Sequence, residues 1–306
     1  MNNSVVDRLN EQFAINQDGH SLRFSPGEHG IPVGAIENNQ ASCSVSLQGA
    51  HVLSWVPAGE EEVIWLSELA RLEPGKSLRG GIPICWPWFG AHHDNAEYPA
   101  HGFARTSLWQ VTDTRVLPGG ETQIAFTLDS RELDQRHAPM WPWPTVVEYR
   151  LTVGGRLTME LATVNHSHQT ITIGQALHTY FKVDDVTRTI VHGLDGREYL
   201  DKTDSFRRKK QTGPVTIDAE VDRLYVHTSD DIIIDDGHRR IGIKKQGSHS
   251  TVVWNPWSSV AEKMGDLGKD GYLHMLCVES ANAAEDIVSI EPGKRHELRV
   301  TYTVDS

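Results

Sequence analysis

The chain reads as an all-β protein, a large antiparallel β-sandwich with very little helix, and three observations carry that reading. Apolar residues recur at every second position in many short segments, the signature of strands buried on one face. Turn-forming residues fall between these segments at short intervals. An apolar period near 3.6 is almost absent along the 306 residues. No repeat, low-complexity stretch or break in composition divides the chain, so one domain over residues 1–306 is expected.

Along the chain, Pro118-Gly119-Gly120 marks a turn, and residues 122–128 then place Ile124, Phe126 and Leu128 on one face. Gly154-Gly155 should join a strand at 146–153 to one at 156–164. Asp236-Gly237 should join 232–234 to 241–244. Both pairs are two-residue hairpin signals. Glu291-Pro292-Gly293 is a further turn before a last strand with Leu298, Val300, Tyr302 and Val304 in phase. One short helix is expected at about 259–264, capped by Ser258 or Ser259. Residues 67–99, rich in Gly and Pro, and 195–214, rich in charge, read as long loops, where sites often sit on a rigid sheet scaffold. Within the second, Arg207-Arg208-Lys209-Lys210 reads as solvated loop, because no aromatic residue interleaves it. The first 40 residues carry no motif that can be placed.

Charge excludes several classes. Lys plus Arg number 29 against 41 Asp plus Glu, a net of −12, which argues against a nucleic-acid binder or a polybasic membrane anchor. No run of about 18 apolar residues suits a transmembrane helix, and the N-terminus lacks a signal-peptide core. Cys43, Cys85 and Cys277 are too far apart for a disulfide framework or a zinc motif and suit a reducing, cytoplasmic setting. Neither a Gly-rich phosphate loop, a Gly-x-Ser-x-Gly elbow nor a His-Glu-x-x-His is present. His92-His93 and the His166/His168 pair lack partners at metal-ligand spacing, so no metal and no cofactor is expected.

Three strings could carry chemistry. In residues 170–182, Ile171, Ile173, Leu177 and Phe181 share one strand face, while Gly174, Ala176, His178 and Tyr180 share the other. Small residues ahead of His178 leave room over the sheet, and histidine suits proton transfer near neutral pH. In residues 272–282, Met275, Cys277 and Glu279 alternate with Leu276 and Val278. A carboxylate ending an apolar face is desolvated, which raises its pKa toward that of a useful base. The plainer alternatives are an inert surface histidine and a Glu paired with Lys or Arg. Third, Arg79 precedes two glycines and Arg105 closes His101-Gly-Phe-Ala-Arg105. Guanidinium groups bind phosphate or carboxylate through paired hydrogen bonds, although ordinary salt bridges would use the same residues. The Trp-Pro pairs at 86–88, 141–143 and 254–257 suit either a sugar-stacking wall or core packing.

Taken together, these strings resemble the aldose 1-epimerase (mutarotase) superfamily, in particular its glucose-6-phosphate 1-epimerase branch. The matching pieces are Leu47-Gln-Gly-Ala-His-Val-Leu-Ser-Trp55, Arg79-Gly-Gly-Ile-Pro-Ile-Cys-Trp-Pro-Trp-Phe-Gly90, His101-Gly-Phe-Ala-Arg105, Ala176-Leu-His-Thr-Tyr-Phe181, Asp201-Lys202 and Cys277-Val-Glu-Ser-Ala281. They stand in the family order. Ala100 stands where some members carry Gln before the His-Gly pair.

The resemblance implies the galactose mutarotase-like supersandwich and an isomerase that interconverts the α and β anomers of a hexose 6-phosphate, glucose 6-phosphate foremost. It implies His178 as general acid, Glu279 as general base, Arg79 and Arg105 on the phosphate, His101 in the pocket and Asp201 on a sugar hydroxyl. The small hexose phosphate would be the partner, with no nucleic acid or membrane. The sequence does not speak to oligomeric state, a monomer being the working expectation. Two rival readings are a glycoside hydrolase, which needs a second carboxyl opposite Glu279, and a non-catalytic sugar-binding or regulatory protein on the same scaffold.

Overall fold

Each strand that is apolar on one face must be covered by another layer. In the computed structural model, which describes residues 4–305, three large antiparallel sheets, with a two-stranded one of Ile171–Ile173 and Val288–Ile290, meet that need around a shared core. The largest has nine strands, in the order Val215–Thr216, Ile190–His192, Ile232–Asp235, Arg240–Gln246, Arg295–Asp305, Leu157–Asn165, Thr145–Val153, Thr122–Asp129 and Gln110–Val116. An eight-stranded sheet runs Arg207–Lys210, Glu198–Asp201, Val221–Tyr225, Ser250–Asn255, Met275–Asn282, Gln175–Leu177 and Ile84–Cys85, with Tyr180–Lys182 also paired to Met275–Asn282. A five-stranded meander spans residues 15–57. One cluster of buried side chains joins all three, with Leu22 and Phe24 from the meander, Leu151 and Tyr302 from the nine-stranded sheet, and Leu276 and Val278 from the eight-stranded one. The molecule is a large antiparallel β-sandwich, as the alternation predicts.

The in-phase sets Ile124/Phe126/Leu128 and Leu298/Val300/Tyr302 are buried in that core. Both predicted hairpins form with longer loops than two residues. Val153 pairs with Leu157, leaving 154–156 as the loop. Asp235 pairs with Arg240, leaving 236–239, because the Asp236 carboxylate accepts the backbone N–H groups of His238 and Arg239 at 3.0 and 2.9 Å. The predicted short helix is Trp257–Met264. Neither Ser258 nor Ser259 caps it. Asn255 Oδ1 accepts the Trp257 N–H at 2.9 Å instead.

Two expectations are corrected. Residues 195–214 are not one loop but hold the paired strands Glu198–Asp201 and Arg207–Lys210. The basic run forms an outer edge strand, where charge discourages pairing with other chains; Arg208 pairs with Glu198 at 3.2 Å, and Lys209 with Asp201 and Asp204 at 2.8 Å each. The N-terminal region also holds a helix, Val5–Phe13, opened by a capping box between Ser4 and Asp7. Its Asn10 side chain bonds both the N–H and the C=O of Phe24 at 2.8 Å, fastening the helix to the meander. No helix among the described residues is long and apolar enough to cross a membrane.

Candidate active site

The central strand Met275–Asn282 serves two layers. Leu276 and Val278 enter the main core, and by alternation Met275, Cys277 and Glu279 face the other side of the eight-stranded sheet. Across from it, Leu177 pairs with Ser280 and Tyr180 with Cys277. The same register carried through the gap sets His178 opposite Glu279. The ladder is open at that point because the His178 N–H turns to Pro83 O at 3.0 Å. His178 and Glu279 are therefore a cross-strand pair, with His178 Nε2 and Glu279 Oε1 at 3.4 Å.

The surrounding floor follows from the same pairing. Asp222, Trp254, Cys277 and Tyr180 form one row across four strands, and Leu224, Val252, Glu279 and His178 form the next. Beyond His178 lie Ala176, Ala281 and Cys85, fully buried in a small apolar cluster against which Phe89, Leu200 and Trp254 pack. Beside that cluster lies a cavity of about 300 Å³ whose walls include Arg79, Phe89, His101, Arg105, His178, Tyr180, Lys202, Asp222, Trp254 and Glu279. Larger hollows of about 660, 420, 410 and 360 Å³ lie elsewhere. Their buried titratable groups already have partners, Asp236 with Arg239 and His137 with Asp134.

Loops bring the remaining residues in. Arg79 precedes a turn in which Gly80 and Gly81 have φ of 103° and 71°. A Cβ on Gly81 would lie 2.2 Å from His51 Nε2, so the turn must be glycine. Arg79 Nε pairs with Asp266 at 3.0 Å, and Nη1 donates to the Tyr180 hydroxyl at 2.9 Å. His101 is held by its N–H to Gly90 O at 2.7 Å, and Gly102 after it packs against the Trp86 carbonyl. Arg105 Nη2 donates to Ala100 O at 2.8 Å and has no carboxylate partner among the described residues. At this position the backbone of Ala100, not a side chain, serves the site.

Burial governs the electrostatics. Glu279 is only 2% exposed, and desolvation pushes its carboxyl up to about 8, with Lys202 and Arg105 opposing and Asp222 adding to the rise. Burial holds His178 well below its usual range, reinforced by His101 and Arg105. His101 is driven down to about 3, again chiefly by burial and then by Arg105 and Lys202. Lys202 pairs with Asp222 at 2.9 Å, yet burial still raises the Asp222 carboxyl. His178 Nδ1 and Glu279 Oε2 are buried without a hydrogen-bond partner. Buried polar atoms are normally satisfied, so an unsatisfied atom on each residue marks this pair as a functional rather than a structural one.

Five of the six predicted site residues meet in this cavity: Arg79, His101, Arg105, His178 and Glu279. Asp201 does not line it. Its carboxylate accepts from Lys209 at 2.8 Å and from the Thr203 N–H and hydroxyl at 3.0 and 2.6 Å, capping a short turn. The cavity's second carboxylate, beside Glu279, is Asp222, unflagged in the sequence because nothing local distinguishes it; only pairing with Trp254 brings it in. Among the tryptophans, Trp254 lines the cavity, while Trp86, Trp88 and Trp141 are buried in the main core. No group of three or more His, Cys, Asp or Glu among the described residues is arranged to hold a metal ion.

A profile of the aldose 1-epimerase family matches residues 33–303. The chain belongs to the aldose 1-epimerase family. Relatives of this epimerase include the Escherichia coli K12 protein named "Putative glucose-6-phosphate 1-epimerase", 36% identical over 82% of this chain and 83% of the relative. A protein of the same name from the plant Cenchrus ciliaris is 35% identical over 85% of this chain and 80% of its own length. Among solved structures, "a putative mutarotase" from Salmonella typhimurium superposes with a TM-score of 0.85 at 30% identity, covering 99% of this chain and 100% of that one.

Two outcomes test this geometry. In ring-nitrogen NMR of the ligand-free epimerase, His101 and His178 should both stay neutral at pH 5.5; titration of either between 6 and 7 would contradict the desolvated site. Gly102→Ala would set a Cβ 1.9 Å from Trp86 O at φ 69°, and should cost about 3 kcal/mol or more in urea unfolding. Gly213→Ala has φ 70° but open space and should cost only about 1–2 kcal/mol.

Proposed function

We propose that the protein interconverts the α and β anomers of a hexose 6-phosphate, foremost glucose 6-phosphate, by acid–base ring opening and reclosure. The observation that carries this reading is a buried His–Glu pair with one unpartnered atom on each residue, in a cavity that also holds an arginine without an acid. The pair suits the O1/O5 edge of a pyranose, and the arginine suits an anion at the sugar's far end. The names borne by the relatives point the same way.

Glu279 takes the proton of the anomeric hydroxyl while His178 protonates the ring oxygen. The C1–O5 bond breaks, leaving an aldehyde at C1 and a hydroxyl at C5. Rotation about C1–C2 and reversal of both transfers give the other anomer. The transfer starts with the pair's one proton on His178, shifted there from Glu279 where the ligand-free protein holds it, and ends with both residues neutral. Burial disfavours charge on each residue, so the cavity favours the ring-opened state relative to the charged pair. The opposite assignment would end on two buried charges. His101, held neutral, donates or accepts a hydrogen bond at the sugar, and the Lys202–Asp222 pair offers a donor and an acceptor for its hydroxyls.

Arg105 and Arg79 hold the phosphate. Arg79 is already compensated by Asp266, so Arg105 is expected to carry more of the binding. The site has no second carboxylate facing Glu279 across a glycosidic bond: Asp222 is engaged by Lys202, and His178 stands opposite Glu279.

Magnetisation-exchange NMR between the two anomers of glucose 6-phosphate tests the reading. His178→Asn or Glu279→Gln should slow exchange by about 10²-fold or more, and wild-type protein that leaves the uncatalysed rate unchanged would contradict it. Activity needs one proton on the pair, wherever it resides. Glu279, with its raised pKa, holds that proton below about 8 and gives it up above, so kcat/KM should fall as pH rises through about 8. An alkaline limb above 10 would contradict this. Arg105→Ala should raise KM for glucose 6-phosphate roughly 10- to 100-fold and change kcat far less, because the phosphate contact is uniform along the reaction. Equal efficiency of the wild type on free glucose and its 6-phosphate would contradict the clamp.

A further inference from the structure

A histidine that exchanges protons is commonly oriented by a hydrogen bond at its second ring nitrogen. His178 lacks that support, since Nδ1 is buried without a partner. Aromatic contact holds the ring instead. Tyr180 lies parallel to it, with centroids 5.1 Å apart and planes at 9°. Trp254 closes one edge at 6.1 Å and 83°, and His101 approaches at 5.5 Å and 69°. Tyr180 is itself fixed from three sides. Trp65 stacks behind it at 6.0 Å and 22°, Trp254 meets it edge-on at 6.0 Å, and its hydroxyl accepts the Arg79 hydrogen bond.

We propose that Tyr180 is the positioning residue for His178, and that its hydroxyl ties this positioning to Arg79, so that the proton-exchanging and anion-binding ends of the cavity share one rigid support. The spacing of two along an extended segment puts both rings on one face, and the row beneath them is packed by Cys277 and Trp254. The ring and the hydroxyl have separable duties. The ring restricts rotation of the imidazole; the hydroxyl restricts the guanidinium. The inference rests on the mutarotase reading for its kinetic half and on geometry alone for its structural half.

Tyr180→Phe and Tyr180→Leu divide the two duties. Y180F keeps the ring and removes the acceptor for Arg79, so KM for glucose 6-phosphate should rise roughly 3- to 10-fold with a smaller fall in kcat. Y180L removes the ring as well, and kcat should fall about 10- to 100-fold through misplacement of His178. NMR of ligand-free protein with ¹⁵N-labelled histidine supplies a readout independent of turnover. His178 should give one sharp set of ring signals in the wild type and Y180F, and broadened or doubled signals in Y180L, while His51 stays unchanged. Trp65→Leu, which loosens Tyr180 from behind, should broaden the His178 signals to a lesser degree and serves if Y180L does not fold. Sharp His178 signals in the ring-loosening variant, or a kcat loss in Y180F equal to that in Y180L, would overturn the proposal. Wild-type protein that exchanges no anomers, with His178 still loosened by Y180L, would count against the mutarotase reading and leave the positioning role standing.

Discussion

The constraint on which the rest depends is the register between residues 175–182 and the strand Met275–Asn282. Antiparallel pairing on both sides of the opening at His178 leaves no freedom about what faces Glu279. A shift of one residue would turn every side chain to the other face, sending His178 and Glu279 into the apolar core and Leu177 and Val278 into the cavity. The core therefore specifies the site: Leu276, Val278, Leu177 and Phe181 can be buried together only if His178 and Glu279 stand on the opposite face.

Desolvation then makes the pair chemically useful. Burial raises the Glu279 carboxyl to about 8 and lowers the His178 imidazole, so their order of proton affinity is reversed from that in water and Glu279 holds the pair's one proton in the ligand-free protein. The cations around them balance this. Lys202 answers Asp222 and Arg79 answers Asp266, while Arg105 remains uncompensated, which gives the cavity local positive character within a chain of net charge −12. An anionic ligand would neutralise Arg105 and thereby reduce its pull on Glu279.

The sequence made much of this legible because strand alternation is local. The faces of residues 170–182 and 272–282 could be assigned from residue order alone, and the arginines announced themselves by their glycine neighbours. What could not be read depended on pairing across the chain. Asp222 enters the site through its partnership with Trp254, which no local pattern encodes, whereas Asp201 sits beside Lys202 in a matching motif but is consumed by Lys209 and Thr203. The basic run at 207–210 lacks alternation because it is an edge strand with solvent on both sides. The N-terminal helix did carry a signal, Ser4 followed three residues later by Asp7, but its nine residues have too short an apolar period to stand out.

The proposed reaction depends on one orientation of the sugar: its O1/O5 edge on the His178–Glu279 pair and its phosphate on the arginines. A crystal structure with 1,5-anhydroglucitol 6-phosphate, which keeps the ring oxygen and phosphate but cannot open, measures it most directly. The ring oxygen should lie within about 3 Å of a His178 ring nitrogen, with C1 beside Glu279 and the phosphate bonded to Arg105. A phosphate seated against His178 and Glu279, or a ring oxygen turned away from both, would contradict it.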